Sequence, residues 1–382
     1  MAIQHQRIFG LDLLRTIAVV FVLSAHTIPY LASNQFIFAS SVFQAICGVE
    51  IFFVISGFLI GTILIKMHNQ DTITSFKSIK IFWIRRWFRT LPNYYLMLFV
   101  YAALYYIATK HFIFSDSFGL SYLFFLQNFT SEITNYFYGI SWSLAVEEWF
   151  YLLFPLFLFI SQLMFKKKQY SFLVVVGVFI AVPLLIRTGL VVLNSDFAWD
   201  AGFRKMVPLR LDGIGIGVAV AYIKWYVPNL WEKNKKVYFT IGSLATIFLL
   251  TIFYYRFILN YDFPTEKELV DPGFFLKTLF FTLLSFSIAL MIPLIYDMKD
   301  RPKNFFYKSI SFLSVISYSV YLSHPFYIVL VNRYLSNQST LIQFFTIWIL
   351  TIVGSYLQYR FFELKFTSLR DKFGSKRDKL TV

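Results

Sequence analysis

The stretch IFGLDLLRTIAVVFVLSAHTIPY, residues 8–30, decides the fold. It is long and apolar enough to cross a bilayer as a helix, which needs ~20 residues. Yet it carries Asp12, Arg15 and His26. A charged side chain at bilayer depth costs ~2.5–3.5 kcal/mol on insertion scales, so such residues persist where they pair or perform chemistry. Arg15 and His26 are eleven positions apart, which at about 100° per residue is about 20° past three full turns. Both therefore point along one face, ~16 Å apart along the axis. That spacing puts Arg15 near one membrane surface and His26 well inside, an arrangement expected of a reaction reached from within the membrane.

The rest of the chain agrees with a membrane solvent. Of 382 residues, 58% are hydrophobic and only 14% charged, with a mean hydropathy of +0.63. Soluble domains carry about 25% charged residues. Aromatics reach 21%, including 48 Phe and 25 Tyr, as expected of a lipid-facing surface with interfacial belts. Apolar runs of spanning length lie at 9–30, 42–65, 92–109, 140–164, 171–193, 207–227, 237–258, 273–296, 310–331 and 341–361. The expected fold is therefore all-α, a polytopic membrane protein with about ten transmembrane helices. A shorter apolar stretch, 118–129, is expected to be interfacial or re-entrant.

The net charge of +15 first points to nucleic acid, but its placement argues otherwise. Alternate loops hold 25 of the 35 Lys and Arg residues, and the intervening loops hold 5. This alternation is the positive-inside signature; it puts both termini in the cytoplasm and requires no nucleic-acid partner. Cys47 is the lone cysteine, which excludes an intramolecular disulfide and a thiolate metal cluster; no metal is expected. The N-terminal stretch is read as a retained first helix, because Asp12 and Arg15 interrupt it and no small-residue cleavage site follows. No internal repeat is visible, which weakens a repeat-built transporter. The organisation expected is a transmembrane domain over 1–365 and a basic, disordered cytoplasmic tail over 366–382.

Several polar constellations stand out. Gly57 and Gly61 form a G-x-x-x-G step suited to close helix packing, with Glu50 toward the outer end of the same span. Arg85, Arg86 and Arg89 share one helical region at the cytoplasmic entrance to the third span. Their forks suit phosphate oxygens, although positive-inside anchoring with Trp83 and Trp87 in the belt meets the same pattern. Glu147 and Glu148 open the fourth span, where the helix dipole favours carboxylates. As neighbours they point about 100° apart, so one faces the interior while the other caps or meets water. Arg210 and Asp212 start the sixth span. Tyr318, Tyr321 and His324 lie in the ninth, with His324 before Pro325; structural and catalytic roles are both open for this histidine.

Six strings carry a resemblance: Leu11 to Ala18 through His26, Phe52 to Gly57, Arg85 to Pro92, Trp142 to Tyr151, Arg210 to Asp212, and Ile316 to His324. Any one is weak. Together, in order and over nearly the whole chain, they resemble the acyltransferase-3 family of membrane O-acyltransferases. The family's arginine–ten residues–histidine motif matches Arg15 and His26, its arginine–two residues–arginine motif Arg86 and Arg89, and its Trp-Ser-Leu…Glu motif Trp142, Ser143, Leu144 and Glu147. Trp149 stands where members often have Gln, a change expected to affect packing more than chemistry. Some members carry an extracellular SGNH hydrolase-like domain; this chain is read as the stand-alone form.

The resemblance implies transfer of an acyl group, usually acetyl, from cytoplasmic acyl-CoA to a hydroxyl of a cell-surface or secreted glycan, in a bacterial cytoplasmic membrane. Arg85, Arg86 and Arg89 then serve as a clamp for the polyanionic acetyl-CoA (or other acyl-CoA). His26 is the expected general base, since imidazole titrates near pH 6.5. Asp12 and Arg15, at i and i+3, are expected to pair, with Glu147 orienting an acceptor from the outer side. Trp142, Ser143, Glu50, Arg210, Asp212, Tyr321 and His324 complete the expected substrate-binding set. The alternatives are a transporter or flippase for a glycolipid or small anion, and a transmembrane acetyl relay to a separate transferase. Covalent change in an acceptor separates the first from an enzyme.

Overall fold

The computed structural model describes residues 7–31, 35–69, 75–133, 137–165, 167–262, 267–268, 271–299 and 304–370. Each of the ten expected spans is a helix: α1 (Phe9–Thr27), α2 (Gln35–Asn69), α3 (Phe76–Thr109), α4 (Ser141–Met164), α5 (Lys168–Val192), α6 (Leu211–Tyr226), α7 (Lys235–Arg256), α8 (Leu279–Tyr296), α9 (Phe305–Tyr334) and α10 (Thr340–Gln358). Among the described residues nine helices are long and apolar enough to cross a membrane by themselves. The sixth, α6, has 16 residues, about 24 Å at 1.5 Å per residue. It is largely buried against α2, α5 and α8, so protein rather than lipid sets its length.

Helix α2 organises the bundle, packing against α1, α6 and α8. Its glycines explain how closely. A Cβ on Gly57 would lie 1.9 Å from the Ile214 carbonyl oxygen, and one on Gly217 would lie 2.1 Å from that of Val54. Two backbones therefore touch where lipid supplies no hydrophobic drive and close packing must hold helices together. The packing reading of the G-x-x-x-G step is the one the structure adopts.

Beside that seam lies a buried polar network. Arg210 pairs with Glu50, and Arg187 pairs with Asp212 at 2.7 Å. The Ser285 hydroxyl donates to Glu50 at 2.5 Å and that of Thr282 to Asp212 at 2.5 Å. All four ions are essentially inaccessible. Each cation has a facing carboxylate, which offsets desolvation at bilayer depth.

The 118–129 stretch folds back on the bundle as a short helix, Ser117–Ser121, and a 3-10 turn, Tyr122–Phe124. The hydroxyls of Tyr94 and Tyr95 donate to its carbonyls at 2.8 Å each. The Trp149 indole N–H reaches the Phe125 carbonyl at 2.9 Å, the packing role expected of that departure. Tyr261–Asp262 pairs antiparallel with Lys267–Glu268. At the far end, Leu364–Arg370 is helical, so the expected disordered tail does not begin at residue 366; its remainder, 371–382, lies outside the described residues.

Candidate functional site

Helices α1, α2, α3, α4 and α9 line a central chamber. Val49, Phe52, Phe53, Leu59 and Leu144 form its apolar wall. Arg15, Arg86 and Arg89 enter it, and Glu147 is the one carboxylate among its lining residues. Such an excess of guanidinium in a confined space suits an anion with several oxygens. A second cavity, lined by Arg7, Asp12, Arg15, Arg89 and Glu363 among others, shares Arg15, Leu59 and Arg89 with the chamber. It forms a vestibule at the end where α1 begins.

Arg85 does not join this set. It is buried in the bundle and lines neither cavity, because adjacent helical residues diverge by about 100° and Arg86 takes the inward direction. The arginine set of the chamber is Arg15, Arg86 and Arg89. Asp12 does not close on Arg15 as an ion pair either. Its carboxylate accepts the Ser314 hydroxyl at 2.7 Å and reaches Arg15 through its field.

Glu147 stands among the arginines rather than at the outer mouth. Its carboxylate accepts from Ser56 at 2.9 Å and from Tyr151 at 3.1 Å, and the Arg86 guanidinium lies 4.6 Å over the Tyr151 ring. Glu148 turns to Thr90, whose hydroxyl donates at 2.7 Å. Glu148 is buried, whereas Glu147 lines the chamber.

His26 lies beyond the chamber, in the last turn of α1, with its side chain accessible. It stands one residue before the end of α1 at Thr27. Its Nδ1 lies 2.8 Å from the Val22 carbonyl; a carbonyl only accepts, so Nδ1 carries the hydrogen and Nε2 keeps its lone pair. The His324 ring lies 5.0 Å away and is fully buried. Tyr321 lines the chamber, its ring 6.1 Å from that of His324. Its hydroxyl donates to the Ile140 carbonyl at 3.1 Å and accepts from Ser143 at 2.6 Å. Trp142 is buried beside Phe53 and under the Arg204 guanidinium, 5.2 Å from its ring.

Three expected site residues are elsewhere. Glu50, Arg210 and Asp212 are held in the buried network and line neither cavity. Their contribution is indirect: Arg210 also donates to the Arg204 carbonyl at 2.8 Å, fixing the loop that covers Trp142. Asp200 binds Arg204 at 2.5 Å and Lys205 in that loop. Burial would raise the Asp200 carboxyl, but these two cations hold it below the usual carboxylate range.

Sequence reasoning missed Arg204, Lys205 and Glu363. The first two had a signal, being adjacent cations on the side otherwise poor in them. Glu363 had none. A π turn over Tyr359–Glu363 rotates it into the vestibule, where it accepts from Ser319 at 2.7 Å and Asn93 at 3.1 Å.

The family model for the acyltransferase domain matches residues 8–360. This chain belongs to the acyltransferase-3 family. Its relatives carry the corresponding names. A Staphylococcus aureus (strain COL) protein provisionally named an O-acetyltransferase is 30% identical over 94% of this chain and 57% of its own length. The peptidoglycan O-acetyltransferase OatA of Listeria monocytogenes is 26% identical over 82% of this chain and 48% of its own. The chain thus spans about half the length of the curated relatives it matches. No solved structure matches it. Within this acyltransferase domain, Arg15, Arg86, Arg89 and Glu147 meet in one chamber and His26 stands at the other end of α1.

Proposed function

We propose that the protein is a membrane O-acetyltransferase that moves acetyl from cytoplasmic acetyl-CoA to a hydroxyl of a cell-surface glycan in a bacterial cytoplasmic membrane. The observation that carries this reading is the arginine-lined path from vestibule to chamber, with an accessible histidine at its opposite end. The abundance of Lys and Arg on the vestibule side supports a cytoplasmic location for that end and for both termini.

Arg15, Arg86 and Arg89 bind the phosphates of the acyl donor, and the pantetheine arm lies along the apolar wall. Asp12 steadies Arg15, and Glu147 orients Tyr151 beneath Arg86. At the outer end Trp142, Ser143 and Tyr321 shape the acceptor side. The acceptor oxygen bonds to the thioester carbonyl carbon while its proton passes to His26 Nε2. The carbon–sulfur bond then breaks, its electron pair leaves with sulfur, and the thiolate takes that proton. The names of the relatives make peptidoglycan the first acceptor to examine.

The test is mass spectrometry of envelope and secreted glycans from a deletion strain complemented with wild type or His26→Ala. An acetyl increment of about 42 Da present with wild type alone supports the reading. Glycans identical in the deletion strain and in both complemented strains, with both proteins expressed, overturn it and favour transport.

A further inference from the structure

We propose that His324 is a positioning residue for His26, its buried Nε2 accepting the hydrogen bond of the proton that His26 takes up. The inference rests on the reading of His26 as the base. It begins from an orphan: His324 is fully buried, and its Nε2 has no hydrogen-bond partner among the described residues. A buried polar atom without a partner costs stability and calls for an explanation.

The ring's other nitrogen settles which form it takes. Nδ1 lies 2.8 Å from the Tyr321 carbonyl and 3.2 Å from that of Val320. Both only accept, so Nδ1 carries the hydrogen and the orphan Nε2 is a bare lone pair. His26 is tied to its own helix in the same way, at Val22. Two imidazoles 5.0 Å apart, their planes inclined by 60°, thus each keep an Nε2 acceptor.

In the resting state neither nitrogen has a proton to give the other. When His26 accepts the acceptor's hydroxyl proton, its Nε2 becomes a donor, and the lone pair of His324 gains the partner it lacked. The charged groups whose fields reach His26 are Arg204 and Lys205, both cations, and Tyr321 is the other titratable neighbour of His324. With no carboxylate among these neighbours, a neutral nitrogen is the group at hand to hold the imidazolium. The proton leaves as before, to the departing thiolate, and His324 returns to its resting form.

Two substitutions separate this role from packing. His324→Phe keeps a ring but removes the acceptor; His324→Gln restores an acceptor on a non-aromatic chain. Envelope membranes from complemented strains are supplied with radiolabelled acetyl-CoA, and base-labile label in glycan is followed between about pH 5 and 9. The expected result is a fall of roughly ten- to a hundredfold for His324→Phe, part of the ~10²–10⁴ due to a general base. Its acid limb moves to lower pH because the imidazolium has lost its acceptor, while His324→Gln recovers much of the rate. Equal thermal unfolding of the purified variants checks the fold. A wild-type acid limb in His324→Phe, or Gln faring worse than Phe at equal stability, overturns the proposal. If His26→Ala itself labels glycan normally, the reading of His26 fails instead.

Discussion

At the residue scale, direction around a helix decides which charge does what. Arg86 and Arg89 face the chamber and Arg85 does not, so their replacement by Gln has unequal effects. We expect Arg86→Gln or Arg89→Gln to raise the acetyl-CoA KM about tenfold or more, since a charge-assisted contact contributes ~1.5–3 kcal/mol. Arg85→Gln leaves it largely unchanged, because Arg85 lines neither cavity. Rates of CoA thiol release against acetyl-CoA concentration check the order. Glu50→Gln tests the buried network. It leaves Arg210 buried without its carboxylate, a loss of ~3–5 kcal/mol for a broken buried pair. A marked drop in the detergent melting temperature is expected; an unchanged one would show that Arg210 finds another partner.

At the element scale, the α2–α6 seam is the contact least able to adapt. Gly57→Ala drives a methyl onto the Ile214 carbonyl, so the two helices must separate along their length, which close-packed interiors resist. We expect loss of monodisperse protein in size-exclusion chromatography. Gly177→Ala, with nothing within 4 Å of its added Cβ, serves as the control and leaves the profile unchanged or the protein slightly more stable. The π turn at Tyr359–Glu363 is the second such element. An added residue in the turn is what aims Glu363 inward, and π bulges recur where a helix serves a site.

At the scale of the whole molecule, the two ends of the bundle have different chemistry. One presents the arginine vestibule and the other His26, Arg204 and Lys205. Orientation is directly testable in a Cys47→Ala background. A cysteine at Ser115, exposed near the His26 end, should react with a membrane-impermeant maleimide in intact cells. One at Lys308, exposed at the opposite end, should react after lysis alone. The reverse pattern would invert the path of the acetyl group.

The sequence by itself determined the fold class, the ten helices and the family, because apolar length and charge alternation are local properties that a bilayer enforces on each segment separately. It also selected most of the site, since ions in apolar helices are rare enough to stand out. Tertiary structure decided which of those ions meet. Glu50, Arg210 and Asp212 looked like site residues and turned out to satisfy one another and Arg187. Arg85 was turned away by 100° of helix, Glu363 was turned in by a π turn, and Glu147 joined the arginines. The Nε2 of His324 was left facing no partner beside His26. These outcomes depend on helix rotation and on partners far apart in the chain, which periodicity within one segment cannot express.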